Sequence, residues 1–226
     1  MTEGVIKITY DIIDLKEVIL VKILVLGATG RVGSQIIPRA IEDGHDVTIL
    51  VRTPDKIKVI DEHIHIIQGS ALNKNDVESV MAGVDIVISA LNTDGTNTLS
   101  ESMQLILEAM KKEDVKRIIT IGTAGILQSR MTPDLLRYQS SESKRKSTHA
   151  AQEHHRVFDM LTDSEVEWTI VCPTYLPDGE CTSKYRVERG FLPEGGTAIS
   201  VGDTAEFTYQ QINSTKYLKC RVGIAY

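Results

Sequence analysis

Several absences narrow the reading of this chain before any motif does. Cysteine is scarce and odd in number: Cys172, Cys181 and Cys220, with no C-x-x-C pair among them. That argues against a disulfide framework and a paired-thiol redox centre, and it fits free thiols in a reducing compartment. No uninterrupted apolar run is long enough to cross a bilayer. The first residues carry Glu3, Asp11, Asp14 and Glu17 and lack a basic stretch followed by an apolar one, so they do not form a secretory signal. Positive charge is in deficit: 25 Lys and Arg stand against 31 Asp and Glu, a formal net charge of −6. Such a surface is not built to hold nucleic acid. No internal repeat is visible. The expected setting is the cytoplasm, with neither membrane nor nucleic acid as partner.

What is present is ordinary in bulk and ordered in pattern. The chain has 226 residues, 42% hydrophobic and 25% charged, enough for one large domain. From Val21 onward, β-branched runs alternate with helix-like stretches. The runs are "VKILVLG", "DVTILVR", "IHIIQG", "VDIVISAL", "VKRIITIGT" and "VEWTIVCP". Between them, "RVGSQIIPRAIEDG", "NKNDVESVMAG", "TNTLSESMQLILEAMKKED" and "HAAQEHHRVFDMLTDS" repeat apolar residues at helical spacing, as Ile106, Ala109 and Met110 do. Strands apolar on both faces and separated by helices predict a parallel sheet covered on both sides. The expected fold class is α/β, a doubly wound parallel sheet in a single domain over 21–226. Two long irregular segments, 125–147 and 173–197, leave the carboxyl ends of strands, the edge where such sheets bind ligands. A closing helix in "VGDTAEFTYQQIN", capped by Asp203 or Thr204, and a last strand in "LKCRVGIAY" complete the pattern.

Residues 1–20 stand apart as an N-terminal extension. Ile8, Ile12, Leu15 and Ile19 would share one face of a short helix. A sharper expectation is that the segment is a leader. Lys16-Glu17-Val18 is what a purine-rich ribosome-binding sequence, AAGGAGGT, yields when read in frame, with Leu20 or Val21 as the true start.

The stretch "VLGATGRVGSQII" carries the strongest signal. An apolar run stops at Gly27, and Gly30 and Gly33 follow at a spacing of three. A chain that leaves a strand in a tight turn and starts a helix at once presents its N–H groups and dipole to an anion. Gly27 would make the turn, Gly30 the close approach to a pyrophosphate, and Gly33 the packing of helix on strand. The context predicts nucleotide binding. Asp46 has the spacing of a ribose-binding acid but opens the second strand, away from the ligand edge. That edge carries Arg52 and Thr53 and, beyond Asp55, Lys56; a cation in place of a carboxylate at the strand end favours NADP(H) over NAD(H).

"GATGRVG", "LVRTPDK", "QGSALN", "VDIVISAL" and "IITIGTAG" occur in that order. The chain after Val21 thereby resembles the atypical short-chain dehydrogenase/reductase family, NAD(P)-binding proteins of the Rossmann fold. The likeness is to the branch that includes flavin and biliverdin reductases. The resemblance implies that Thr29, Gly30, Arg31 and Val32 hold the pyrophosphate and Arg52 the 2′-phosphate. It places Ser70 and Ala71 beside the adenine, although the family usually has an aspartate where Ser70 stands. Ala90, Leu91 and Asn92 would line the dinucleotide, Gly122 and Thr123 would approach the nicotinamide ribose, and Pro173 and Thr174 would border the nicotinamide.

The departures from the family pattern bear on chemistry. No Tyr-x-x-x-Lys is present; Tyr138 is followed four residues later by Glu142. Ala124 stands where relatives of that branch place a serine, and Tyr175 where they place a histidine. Alcohol oxidation, which needs a base for the hydroxyl proton, is poorly supported. The expected activity is hydride transfer from NADPH to a flat conjugated small molecule such as a flavin, quinone or tetrapyrrole. Tyr175 would donate the proton or position the acceptor, with Thr123 as its polar neighbour. The alternative implied by the same resemblance is a non-catalytic NADP(H) sensor, like regulators of nitrogen-metabolite repression. The chain would act as a monomer or homodimer.

Other candidates have plainer readings. His63-x-His65 lacks a third ligand, so no metal site is expected. Of His154 and His155 only one can face the pocket, and a surface or helix-packing role is preferred. Cys172 and Trp168 read as core. Lys144-Arg145-Lys146, among serines, reads as a solvated loop.

Overall fold

The computed structural model describes residues 20–226 apart from positions 60, 144 and 146. The expectations for residues 1–19 lie outside the described residues. One eight-stranded sheet organises the chain. Its strands are β1 (Lys22–Leu26), β2 (Asp46–Val51), β3 (Ile64–Gln68), β4 (Ile86–Ser89), β5 (Arg117–Ile121), β6 (Glu167–Pro173), β7 (Arg186–Arg189) and β8 (Cys220–Ala225). They lie in the order β3-β2-β1-β4-β5-β6-β8-β7. Every pairing is parallel except β7 with β8. Among the described residues, five α-helices connect them: α1 (Gly33–Glu42), α2 (Lys74–Ser79), α3 (Thr98–Lys112), α4 (His149–Thr162) and α5 (Val201–Gln210).

Period-two alternation within each strand feeds two cores. Leu24, Leu26, Val87 and Ile118 join Val77, Met103, Ile106, Val157 and Leu161 from α2, α3 and α4. Ile23, Val25, Ile88 and Ile119 join Ile36, Ile37, Ala205 and Phe207 from α1 and α5 on the other side. Central strands with apolar residues at consecutive positions require this two-sided cover. β3 departs from that expectation. Ile66 and Ile67 are each 40% exposed, because β3 is the edge strand of the sheet.

The closing helix begins one turn before the predicted cap. Ser200 caps α5, its Oγ accepting from the Asp203 N–H at 3.0 Å. Asp203 sits in the first turn, fully buried, and its carboxylate is committed to the incoming chain. It accepts from Thr182 N, Ser183 N, Thr182 Oγ1 and the Tyr226 hydroxyl. Residues 175–183 are therefore fastened along the start of α5, helped by the Ile199 N–H to Tyr175 and the Gly202 N–H to Gly179. The ligand atoms of Cys181, Asp203 and Glu206 lie within 4.8 Å of one another, but Asp203 is already spent on this fastening. Cys172 and Trp168 are core, as predicted, and burial pushes the Cys172 thiol up to about 12.

Candidate functional site

The chain runs from β1 outward to β2 and β3, then returns to place β4 on the other side of β1. Such a reversal opens a crevice beyond the carboxyl ends of the two central strands. A cavity of about 590 Å³ occupies that position. It is lined by the ends of β1, β2, β3, β4, β5 and β6 in turn, from Gly27 through Arg52, Ser70, Ala90 and Gly122 to Pro173.

The glycine turn is built largely by the protein's own backbone. Gly27 has φ +80°, and a Cβ there would stand 2.4 Å from the Ala90 carbonyl oxygen. A Cβ on Gly33 would stand 2.3 Å from the Gly27 oxygen, so Gly33 seats α1 on the turn and does not line the cavity. Gly30 is looser; its Cβ would sit 3.1 Å from the Gly27 oxygen, and the residue lines the cavity wall. Among the described residues, the N–H groups of Arg31 and Val32 have no protein partner. Open donors at the start of a helix suit a phosphate.

Twelve predicted contact residues line this one cavity beside Gly27, Thr29 and Gly30: Arg31, Val32, Arg52, Ser70, Ala71, Ala90, Leu91, Asn92, Gly122, Thr123, Pro173 and Thr174. Two of their cations are already paired. Arg31 donates to the Leu176 carbonyl oxygen and bridges Asp178 at 3.0 Å. Arg52 meets Asp94 at 3.5 Å. The second strand offers no carboxylate there, but the segment after β4 does. The Ser70 turn, lacking the family's aspartate, is pinned by Asp76, which accepts the Ser70 N–H at 2.8 Å. Asp46 lies at the opposite end of β2, 3.1 Å from His63 Nδ1.

Tyr175 is not part of the cavity. It is 64% exposed, while its neighbours Thr174 and Leu176 line the wall. The chain there is extended and bridges Ala198, so alternate side chains point to opposite sides and Tyr175 faces solvent. The 173–197 segment accordingly contributes only Pro173, Thr174 and Leu176 to the cavity. The 125–147 segment contributes more. It walls a second cavity of about 180 Å³ with Gly125, Arg137, Tyr138, Glu142, Ser143, Arg145 and Ser147. Thr123, Arg145, Ala150 and Thr174 line both cavities, so the two adjoin at the β5 and β6 ends. Thr123 Oγ1 accepts the Gly125 N–H at 3.3 Å, which starts the turn into that segment.

Sequence reasoning missed Tyr138, Arg145, Asp94 and the inward face of α4. Helix α4 is held by Glu153, fully buried at the start of α3, accepting from Ser100 N at 3.2 Å and Ser100 Oγ at 3.0 Å. Burial opposes the charge of Glu153, but the Ser100 bonds and Arg156 outweigh it and hold its carboxyl below the usual range. That anchor turns Ala150 and His154, four apart, into the first cavity. His155, one step round the helix, faces Tyr138 instead.

Burial pushes His154 down to about 4, against an opposing pull from Glu153. The ring is therefore neutral at neutral pH. A base whose folded pKa lies below its unfolded value stabilises the fold above the unfolded pKa. That stability is lost as the pH falls from 6.5 towards 4, because the unfolded chain takes the proton first. The expected loss is about 1–3 kcal/mol, reduced from the full linkage slope by the ring's partial contact with solvent. His154→Gln should flatten this part of the acid limb in urea melts at several pH values. An unchanged slope would mean that the ring is solvated.

The profile of the NAD(P)H-binding family matches residues 27–215. YwnB of Bacillus subtilis, described as uncharacterized, is 24% identical over 191 residues, covering 81% of this chain and 88% of that one. A Bacteroides thetaiotaomicron protein assigned as an epimerase superposes with TM-score 0.80 at 28% identity, over 92% of this chain and 97% of that one. A Streptococcus pneumoniae protein assigned as an NADH-flavin reductase superposes with TM-score 0.76 at 24% identity, over 91% and 99%. Other curated relatives are longer, and this chain spans only 32% of the Synechocystis photosystem II assembly factor Ycf39. The two superposed proteins carry different assigned activities on one fold, so the reaction must be argued from the site. The matched span runs through nearly every element that lines the crevice, and the chain belongs to the NAD(P)H-binding family, on a Rossmann fold.

Proposed function

We propose that this protein is an NADPH-dependent reductase that passes a hydride to a flat conjugated acceptor such as a flavin, quinone or tetrapyrrole. The observation that carries the reading is the pair of adjoining cavities meeting at Thr123 and Thr174. The larger fits a dinucleotide: open N–H groups at Arg31 and Val32, Arg52 for a phosphate, and small residues at Ala90, Ala71 and Gly122. The nicotinamide would supply the hydride when bound. The chain would orient it with Gly122, Thr123, Pro173 and Thr174, and exclude water with Ala150 and the neutral His154. The assigned activity of the Streptococcus relative, NADH-flavin reductase, agrees with an electron-poor acceptor. The free thiols at Cys172, Cys181 and Cys220 accord with a cytoplasmic setting.

The sensor reading draws support from the first cavity, whose described lining holds neither tyrosine nor lysine. One experiment separates the two. Binding of NADPH and NADH is titrated by fluorescence, and NADPH consumption is followed with FMN and a panel of quinones. Tight binding with turnover is expected. Tight binding with no consumption across the panel would favour the sensor, and no binding of either cofactor would overturn both readings.

A further inference from the structure

The segment 125–147 carries a chain of polar groups that the cofactor site does not use. Tyr138 lines the second cavity, and its hydroxyl lies 2.9 Å from His155 Nδ1. The other ring nitrogen of His155 lies 3.5 Å from Asp159, one helical turn along α4. The imidazole is fixed between two rings, edge-on to Tyr138 at 5.7 Å and stacked on Phe158 at 6.4 Å. Gly125 allows this closeness: a Cβ there would already touch Ala151 at 3.2 Å and Tyr138 at 3.5 Å. A carboxylate beside the far nitrogen orients an imidazole. The near nitrogen is then set to exchange a proton with the phenol.

We propose that the second cavity receives the carbonyl end of the acceptor and that Tyr138 gives its phenolic proton to the acceptor oxygen, with His155 and Asp159 as positioning residues behind it. This rests on the reductase reading. The acceptor class is a quinone or conjugated carbonyl, entering from the space shared by Thr123, Arg145 and Thr174. A volume of about 180 Å³ is below that of a complete ligand pocket, so only the reacting end is enclosed. The step balances in electrons and protons. Hydride from the reduced nicotinamide forms a C–H bond on the acceptor, and the carbonyl π pair moves to oxygen. The O–H bond of Tyr138 breaks as one forms on that oxygen. A proton from solvent, relayed through His155 Nδ1, then restores the Tyr138 phenol, so each turnover takes up one hydride and one proton. The cofactor leaves oxidised. In the plainer alternative, Tyr138 and His155 only clamp the segment to α4.

The test uses the full chain and Tyr138→Phe and His155→Gln variants. NADPH binding and melting temperature are measured first, then NADPH oxidation with menadione in H2O and D2O, and the binding of naphthol, a product mimic, with NADP. Both variants should bind NADPH like the parent and melt close to it. Tyr138→Phe should lower kcat at least about a hundredfold at unchanged KM, within the range for a lost general acid. The slowing of the parent in D2O should vanish in Tyr138→Phe, which a clamp would not cause. His155→Gln, able to hold the hydroxyl but not to pass a proton, should lower kcat without lowering the melting temperature. Unchanged kcat in Tyr138→Phe overturns the proposal. So does a parent protein that binds NADPH yet neither reduces menadione nor binds naphthol. A parent that does not bind NADPH overturns the reductase reading instead.

Discussion

Gly27→Ala is expected to cost the protein about 2–5 kcal/mol and to abolish dinucleotide binding. The left-handed backbone at φ +80° costs about 1–2 kcal/mol for a residue with a Cβ. The added atom would also stand 2.4 Å from the carbonyl oxygen of Ala90, which is backbone and cannot swing aside. Ala90 is tied by its own N–H to Leu26, so relief means shifting the end of β4 at about 1–3 kcal/mol more. Against a typical stability of about 5–15 kcal/mol, that is a large share, and the melting temperature should fall by about 10 °C. Gly30→Ala is the informative control. Its Cβ would meet only the Gly27 oxygen at 3.1 Å. The fold should survive that contact, while a methyl group at the cavity wall weakens NADPH binding. Calorimetry and fluorescence titration of the two variants check this. A Gly27→Ala protein with parental melting and binding would mean that the turn adapts, and the geometric argument would fail.

The second large effect concerns cofactor choice. Arg52→Ala is expected to weaken NADPH binding about ten- to a hundredfold and to leave NADH within about twofold. The contact it would lose is charge-assisted and specific to the 2′-phosphate. The structure adds a complication that the second strand conceals. Asp94, 3.5 Å from Arg52 and also lining the cavity, competes for the guanidinium and repels a phosphate. Both side chains are well exposed, so the pair is screened and worth under about 1 kcal/mol. Asp94→Asn should accordingly raise NADPH affinity by about threefold, and more at low salt. Equal loss of both cofactors in Arg52→Ala would make Arg52 structural and remove the case for NADPH.

That the residues proposed for the cofactor would gather at one crevice was readable because the crevice wall is written in local chemistry. A tight turn demands Gly27, the strand ends follow apolar runs, and each predicted contact sits within a few residues of a strand's carboxyl end. The second cavity was not readable in the same way. Tyr138 meets His155 of α4, and α4 is seated on α3 through Glu153 and Ser100; both are contacts across distant elements with no local signature. Tyr175 misled for the opposite reason. It follows β6 at the expected place, but one extended residue decides which side of the chain a side chain occupies, and the bridge to Ala198 turns Tyr175 outward. Asp94 and Arg145 arrive from loops whose path the sequence leaves open. The helical signal did leave a clue: Ala150 and His154 share a face four residues apart, as Ala151 and His155 do. Two small residues beside two imidazoles mark a helix that something approaches closely.

The position of β8 has a consequence for how the molecule comes together. β7 is synthesised before β8, yet among the described residues β8 is its only partner in the sheet, and β8 must enter between β6 and β7. Until it does, β7 has no ladder and the β6 edge stays open. Val222 and Ile224, both fully buried in the finished sheet, have nothing to cover at that stage. The β1–β2 and β2–β3 ladders, whose paired residues are close in sequence, can form without β8. Closure of the β6-β8-β7 side waits on a non-local insertion, the kind of step that sets the pace of folding. Refolding from urea should show a late phase reported by Trp168, whose own carbonyl oxygen receives the Lys219 N–H at the entrance of β8.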